Sequence, residues 1–231
     1  MESHSKGGVA AVAVVVGLVV GGLGGWYIAD MNMSKDMNMG GNMSVSEGAP
    51  NASTKAAELR ANLVDLGVEH MDLTYTAVAS TLAGSASAEA DGAALYKNGT
   101  DTGAAVGSVY GAEAEETFNS VWKLHLDEFV KYAGASAGGD EAGKQQALAT
   151  IDSDYTKPLA AYLAKANPNL PEDVLYTTLK THVDMTAEMI DKLAAGDYTG
   201  AQDLRAKGTD HLRETFSTLA AGIVKQYPDK F

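Results

Sequence analysis

The chain has 231 residues, with 17 basic and 30 acidic side chains and a formal net charge of −13 at pH 7. This charge, without any cluster of Lys or Arg, argues against a nucleic-acid partner, because phosphate backbones would be repelled. Cysteine is absent, which excludes disulfides, thiolate metal ligands and a lipidated cysteine anchor. After a non-globular N-terminal portion, roughly 175 residues remain, enough for one domain with a substantial hydrophobic core.

The first segment, residues 7–29, is an uncharged run of Gly, Ala, Val and Leu that ends in Trp26 and Tyr27. As a helix it would span roughly 35 Å, enough to cross the hydrocarbon core of a membrane. Lys6 before it and Asp30 after it give a weak positive-inside signal that leaves the short N-terminus in the cytoplasm. A cleaved signal peptide is the alternative, but the run is longer than a normal signal-peptide core and no A-x-A site follows. We therefore predict an uncleaved, single-pass anchor in the cell membrane and an extracytoplasmic C-terminal domain.

Three glycines within this run, Gly17, Gly21 and Gly25, fall on one face of the predicted membrane helix. Small residues at this spacing let two membrane helices approach closely. They indicate a homodimer contact, unless they reflect only the general frequency of small residues in membrane helices.

Residues 30–53 are rich in Asn, Gly, Ser and Met and lack apolar periodicity, as expected of a flexible linker. Methionine is unusual there, because its thioether is apolar and readily oxidised. Paired thioethers are soft ligands that suit Cu(I) and need no deprotonation. The spacing resembles the Met-x-Met clusters of extracytoplasmic copper-handling proteins, although a drifted low-complexity repeat would give the same pattern. The methionines concerned are Met31, Met33, Met37, Met39 and Met43.

From residue 54 onward, apolar side chains recur every three or four residues, as in helices that face a bundle. These stripes predict helices through His70, His125 and His182, and a fourth helix at about 199–226. No segment shows the sustained alternation that a strand would need. The predicted fold class is all-α, an antiparallel bundle of the four-helix type over 54–231.

Two further segments lie between the stripes. At about 88–109 we expect a shorter segment that is broken by glycines, and at about 140–166 a helix that Pro158 kinks.

An internal repeat is also visible in the sequence. A helix with His-x-Asp-x-Thr occurs at 70–74 and again at 182–186, and each is followed by a His-Leu motif, at 125–128 and at 211–214. The repeat predicts that two duplicated helical hairpins pair to form the bundle.

Several short motifs occur in a fixed order along residues 59–231. They read EHxxLT at 69–74, LYKNGTDTG at 95–103, VYG at 109–111, LHL at 124–126, ANP at 166–168 and GIVKQYP at 222–228. With these motifs the chain resembles a family of uncharacterised bacterial helical-bundle proteins, many of which begin with a membrane or signal segment. The resemblance implies a helical bundle and carries no activity. His70, His125 and His182 match the pattern of the family, whereas His211 does not obviously do so.

Four of the five histidines lie in the middle of amphipathic segments. His70, His125 and His182 fall within their apolar stripes, so burial would oblige each ring to find a hydrogen-bonding or metal partner. His211 falls at the edge of its stripe. Neutral imidazoles that converge in a bundle suit zinc or copper. The further candidate ligands are Glu69, Asp101, Glu128 and His211, and two methionines on the face of His182, Met185 and Met189, favour copper.

The alternative is that each ring bonds a neighbour, such as Thr74 or Thr186 four residues on, or a carboxylate across the bundle. The sequence contains no Glu-x-x-His pair, no His-Glu-x-x-His motif, no nucleophile motif and no phosphate-binding loop, so we predict that the protein is not an enzyme. The observation that separates the alternatives is whether the three stripe histidines converge within ~5 Å of one another.

We therefore predict a membrane-anchored, extracytoplasmic helical bundle that binds copper or zinc through its bundle histidines and a Met-rich arm. The alternative is an anchored interaction module of the cell envelope that binds no metal and has an unknown protein partner.

Overall fold

The computed structural model describes residues 54–231, which form seven α-helices and one π-helical turn. No strand occurs in this part of the chain, which confirms the all-α class. The membrane anchor with its glycines and the Met-rich linker, predicted at 7–29 and 30–53, lie outside the described residues. Within 54–231, no helix combines the length and the hydropathy needed to cross a membrane. The helices are α1 (Lys55–Leu82), α2 (Ala88–Tyr110), α3 (Ala112–Gly138), α4 (Glu141–Ile151), α5 (Lys157–Ala166), α6 (Glu172–Ala194) and α7 (Tyr198–Gln226), and the π-helical turn Asp152–Thr156 joins α4 to α5.

Three helices, α1, α3 and α6, contact one another. Each remaining segment covers a seam between two of them: α2 lies against α1 and α3, α7 against α1 and α6, and the α4–α5 segment against α3 and α6. Because the connections are short, successive helices run antiparallel, so α1, α3 and α6 run in the same direction.

The prediction of a helical bundle is confirmed, but the arrangement differs from two paired hairpins. α6 and α7 do form a hairpin, whereas α2 lies between α1 and α3 in the chain and packs against both of them. The described part of the bundle therefore has six helical segments in place of the four expected. The reason is that α2 and the α4–α5 segment pack as full members of the core and are not peripheral connections.

The two longest helices begin close to the predicted positions. α1 begins after Thr54, whose hydroxyl accepts a hydrogen bond from the main-chain N–H of Ala57, as an N-cap residue should. α7 begins after Asp197, whose carboxylate accepts from Gly200 in the same way.

The prediction that glycines break the 88–109 segment is wrong. α2 is continuous over Ala88–Tyr110. Glycine disfavours a helix when it is solvated, but here it allows close contact with α3. A Cβ atom at Gly99 would lie 2.7 Å from the indole ring of Trp122, and one at Gly103 would overlap the side chain of Asn119. The packing of α2 against α3 therefore outweighs the low helix propensity of glycine.

The kink expected near Pro158 takes the form of the π-helical turn Asp152–Thr156, after which Pro158 occupies the first turn of α5. Proline has no N–H to continue the α-helical hydrogen bonding, so a wider turn before it is expected. Within the turn, Tyr155 is buried and points into the bundle core.

One end of the bundle is held by a hydrogen-bonded group, here called the Tyr110 network: Tyr110, Asn167 and Gln226. The Tyr110 hydroxyl donates to Gln226 Oε1 at 2.9 Å and accepts from Asn167 Nδ2 at 3.2 Å, and Gln226 Nε2 donates to the carbonyl of Ala166 at 2.8 Å. Tyr110 and Asn167 also border a small apolar cavity of about 60 Å³. The network joins α2, α7 and the end of α5, and it brings together three of the short motifs noted in the sequence.

Candidate metal centre

Three histidines from three different helices meet in the middle of the bundle. His70 belongs to α1, His125 to α3 and His182 to α6, and each lies near the midpoint of its helix. The three rings approach one another closely, so the midpoints of the three helices lie at the same level of the bundle. The residues are 1%, 0% and 4% exposed, respectively. We call this group the histidine centre.

The rings of the histidine centre converge closely enough for their nitrogens to reach one point. One nitrogen from each ring lies within 4.8 Å of the corresponding atoms of the other two. The ring centroid of His70 is 5.7 Å from that of His125 and 5.6 Å from that of His182. The three histidines therefore meet the condition that the metal hypothesis sets, which is convergence within ~5 Å.

Aromatic side chains surround the histidine centre. Trp122, one turn before His125 on α3, meets the rings of His70 and His125 edge-on, with centroid distances of 5.0 Å and 4.8 Å. Tyr155 stacks on His125 with a centroid distance of 4.3 Å and an interplanar angle of 24°. The lack of a side chain at Gly99 leaves space for the indole of Trp122, and the π-helical turn places the ring of Tyr155 against His125. The centre is therefore enclosed by apolar surface and shielded from solvent.

The ring nitrogens of the histidine centre are poorly satisfied as hydrogen-bonding groups. Nδ1 of His70, both ring nitrogens of His125 and Nδ1 of His182 are buried without a hydrogen-bond partner. The hydroxyl of Thr74 donates to the main-chain carbonyl of His70, not to its ring, and the hydroxyl of Thr186 has no partner. The described structure therefore does not show the arrangement in which each imidazole bonds a threonine or a carboxylate.

Burial keeps the three imidazoles neutral. It lowers the pKa of His70 from 6.5 to about 4, an effect that the nearby side chain of Asn98 partly offsets. Burial also holds the pKa of His125 and His182 well below 6.5, and neighbouring imidazoles lower both further. Because a metal binds the neutral form of histidine, the rings are in the ligand form at neutral and mildly acidic pH.

Asn98, on α2, connects the histidine centre to the surface. Its Nδ2 donates to Glu69 Oε2 and to the carbonyl of Leu66, both at 3.1 Å. Its Oδ1 is buried and has no hydrogen bond of normal geometry, although the side chain lies close enough to His70 to affect the pKa of the ring. Asn98 thus stands between His70 and the exposed carboxylate of Glu69, in the position of an outer residue that orients a ligand.

The other candidate ligands from the sequence lie elsewhere. Nε2 of His211 pairs with the main-chain carbonyl of Thr178 at 3.0 Å, and the residue is not part of the converging group. The carboxylates also have other partners, as Lys97 pairs with Asp101 at 2.5 Å, Lys131 with Glu128 at 2.5 Å and Asn98 with Glu69. Met189 is fully buried in the hydrophobic core and Met185 is half-buried.

Sequence reasoning did not identify Trp122, Tyr155 or Asn98 as neighbours of the histidines. Trp122 was one position removed from the predicted α3 stripe, and Tyr155 reaches the centre only because of the π-helical turn. Asn98 had a weak signal, since it is a polar residue inside one of the short motifs.

No family model, curated protein or solved structure matches the chain. The resemblance to bacterial helical-bundle proteins therefore stays a prediction.

Proposed function

We propose that the histidine centre binds a transition metal ion, copper or zinc. The observation that supports this most directly is that three imidazoles converge while each ring has at least one buried nitrogen without a hydrogen-bond partner. Nitrogens bound to one ion at about 2.0–2.1 Å lie roughly 3.3 Å apart. The atoms that now lie within 4.8 Å of one another need to move together by about 1.5 Å, which small rotations of the rings would supply.

The energetics of burial support the same proposal. A buried nitrogen without a partner destabilises the folded state by about 1–3 kcal/mol, and proteins rarely retain such atoms without a use. Coordination would give several of these nitrogens a strong bond at once. An ion that binds only the folded chain would also raise its stability by mass action.

The proposal includes the N-terminal segments, where the sequence is the only support. Residues 7–29 would anchor the protein in the cell membrane and leave the bundle outside the cytoplasm. The five methionines Met31, Met33, Met37, Met39 and Met43 would capture a soft ion and deliver it to the bundle or supplement its site. Thioethers and neutral imidazoles are compatible in this respect, because neither class of ligand has to lose a proton at neutral pH.

The test is metal binding by the full-length chain, purified in detergent, with zinc, Cu(II) and Cu(I) titrated separately. We expect one ion per chain at the histidine centre, with binding lost in His125→Leu and His182→Leu. His211→Leu is the matched control, since this histidine lies outside the group, and it should bind normally. Far-ultraviolet circular dichroism would verify that each variant is folded.

A second set of variants distinguishes metal binding by the linker methionines from metal binding by the histidine centre. Replacing the five linker methionines with leucine should remove weaker copper binding and leave the ion at the histidine centre. If the methionine variant binds nothing while the histidine variants bind normally, the bundle site is wrong. If no form of the protein binds any of the ions, the anchored interaction module is left as the better hypothesis.

The anchor is tested independently of the metal. The full-length protein should fractionate with membranes, and deletion of residues 7–29 should release it. Cross-linking of the anchored protein as a dimer that is lost on Gly21→Leu would support the contact through Gly17, Gly21 and Gly25; an unchanged cross-link would argue against it.

A further inference from the structure

The ligands of the histidine centre are all uncharged. Among the histidines and carboxylates of the described residues, only His70, His125 and His182 form a group of three that could hold an ion, and no carboxylate belongs to it. The chain contains no cysteine that could add a thiolate. The titratable neighbours that affect the pKa of His125 and His182 are other histidines, and none is an acid. An ion bound here would therefore keep its full positive charge.

The nearest connected acid does not change this conclusion. Glu69 is exposed to solvent, and the amide of Asn98 lies between it and His70. Water screens the charge of an exposed carboxylate, so its effect on a buried ion is weak. Glu69 can orient His70 through Asn98, but it cannot neutralise a doubly charged ion.

The charge of the ion decides how readily it enters a buried site. The desolvation penalty of an ion grows with the square of its charge, so the penalty for a divalent ion is about four times that for a monovalent ion of similar size. Divalent ions in proteins usually recover it from anionic ligands or from a bound water. The histidine centre offers no anionic ligand among the described residues, and Trp122 and Tyr155 pack against its rings.

The number of ligands points in the same direction. Zinc in structural sites takes four ligands, and Cu(II) prefers a square or tetragonal arrangement. Cu(I) has a filled d shell and accepts three ligands in a plane. Three rings from three helices around one point supply a trigonal set, and no further histidine or carboxylate of the described residues joins it.

From the charge and the ligand number, we infer that the histidine centre is a three-coordinate site for Cu(I), selective against Zn²⁺ and Cu²⁺. The inference rests on the proposed metal-binding function and names its ion. It is drawn from the bundle alone and does not depend on the methionines of the linker. It also implies that copper bound here resists oxidation to Cu(II).

The first experiment compares affinities in the full-length chain carrying Met31→Leu, Met33→Leu, Met37→Leu, Met39→Leu and Met43→Leu. Cu(I) is titrated anaerobically against a chromophoric Cu(I) chelator, and Zn²⁺ and Cu²⁺ against chelators of their own. We expect one Cu(I) per chain, held at least about a hundredfold more tightly than either divalent ion. His125→Leu in this background should lose the Cu(I), and His211→Leu should keep it.

The second experiment uses the wild-type histidines and does not depend on the folding of a variant. X-ray absorption of the Cu(I)-loaded methionine variant should show three-coordinate Cu(I) with nitrogen neighbours only. Tighter binding of Zn²⁺ or Cu²⁺ at the histidines would overturn the inference and leave the proposed function standing. A fourth ligand in the copper spectrum would also overturn it. Failure of all three ions to bind through nitrogen would overturn both.

Discussion

The bundle contains two groups of buried polar side chains that differ in how their hydrogen bonds are satisfied. In the Tyr110 network, the hydroxyl and both side-chain amides find partners in one another or in the main chain. In the histidine centre, every ring has at least one buried nitrogen without a partner. Both groups join distant helices, so their position in the fold does not explain the difference.

The comparison indicates what each group is for. A polar network in which every group is hydrogen-bonded fixes the geometry of the elements it connects. Loss of one member leaves its partners buried without a hydrogen bond, which destabilises the fold. A group with unsatisfied nitrogens weakens the fold until something binds to it. We interpret the Tyr110 network as structural and the histidine centre as a binding site that is maintained at some loss of stability.

The largest expected difference between the two groups is their response to pH. Burial lowers the pKa of His70 from 6.5 to about 4, whereas the unfolded chain takes up this proton near pH 6.5. Stability is therefore present in full above pH 6.5 and is lost as the pH falls toward 4, by roughly 3 kcal/mol from His70 alone. The Tyr110 network contains no group that titrates in this range.

The measurement is denaturant unfolding of the metal-free protein at several pH values between 7 and 4. His70→Leu should reduce the slope of stability against pH, while Tyr110→Phe should leave the slope unchanged. Equal slopes in the wild type and in His70→Leu would contradict the assignment of the pH dependence to the histidine centre.

Asn167→Ala should produce the largest loss of stability of any single change in the Tyr110 network. Asn167 is buried, donates to the Tyr110 hydroxyl and accepts from the main-chain N–H of Asn169 at 3.0 Å. Removing it leaves these groups without partners and enlarges the neighbouring cavity, so the free energy of unfolding should fall by about 2–3 kcal/mol. Chemical denaturation measures the change, and Asn169→Ala, at a half-buried position on the same turn, is the milder control. Binding of copper or zinc should be unaffected.

His125→Leu should change the free energy of unfolding of the metal-free protein in the opposite direction, toward higher stability. Neither ring nitrogen of His125 has a hydrogen bond of normal geometry, and leucine fills a similar volume among the same aromatic rings. Removing an unsatisfied buried polar group should raise the free energy of unfolding by about 1–2 kcal/mol. The expected pattern is a more stable protein that has lost its metal. A loss of stability of similar size would show that His125 has a structural role, and the contrast between the two groups would fail.

Tyr110→Phe should give the smallest effect. It removes a hydroxyl that both donates and accepts, but the residue is half-buried and water can replace part of the lost bonding. The free energy of unfolding should fall by about 1 kcal/mol or less. Thermal or chemical denaturation beside Asn167→Ala would show whether the two changes act on the same network, since their effects should then add to less than their sum. Full additivity would mean that the two residues act separately.

Much of the fold could be predicted because long apolar stripes define helices clearly. α7 begins at Tyr198 and ends at Gln226, within one residue of the predicted 199–226. The stripes also predicted that His70, His125 and His182 would each be buried, which the structure shows. α2 was not predicted as a continuous helix, because glycine is unfavourable in a helix unless a neighbouring helix approaches closely, and that approach is a tertiary contact.

The rest of the site could not be predicted for related reasons. Tyr155 reaches His125 only through a π-helical turn, which shifts the direction of side chains relative to an α-helix. The Tyr110 network joins residues more than fifty positions apart, and no local sequence pattern predicts such a contact. Asn167 and Gln226 lie in short motifs, but a motif does not predict which residues it contacts in the folded protein.

The position of Trp122 gives the protein an optical reporter of the proposed metal site. Only two tryptophans occur in the chain, and Trp122, the one in the bundle, lies within 5.0 Å of the ring centroids of His70 and His125. Protonated imidazoles and copper ions both quench indole fluorescence at such distances. In a chain carrying Trp26→Phe, emission from Trp122 alone would therefore follow loading of the histidine centre in real time, without any added dye.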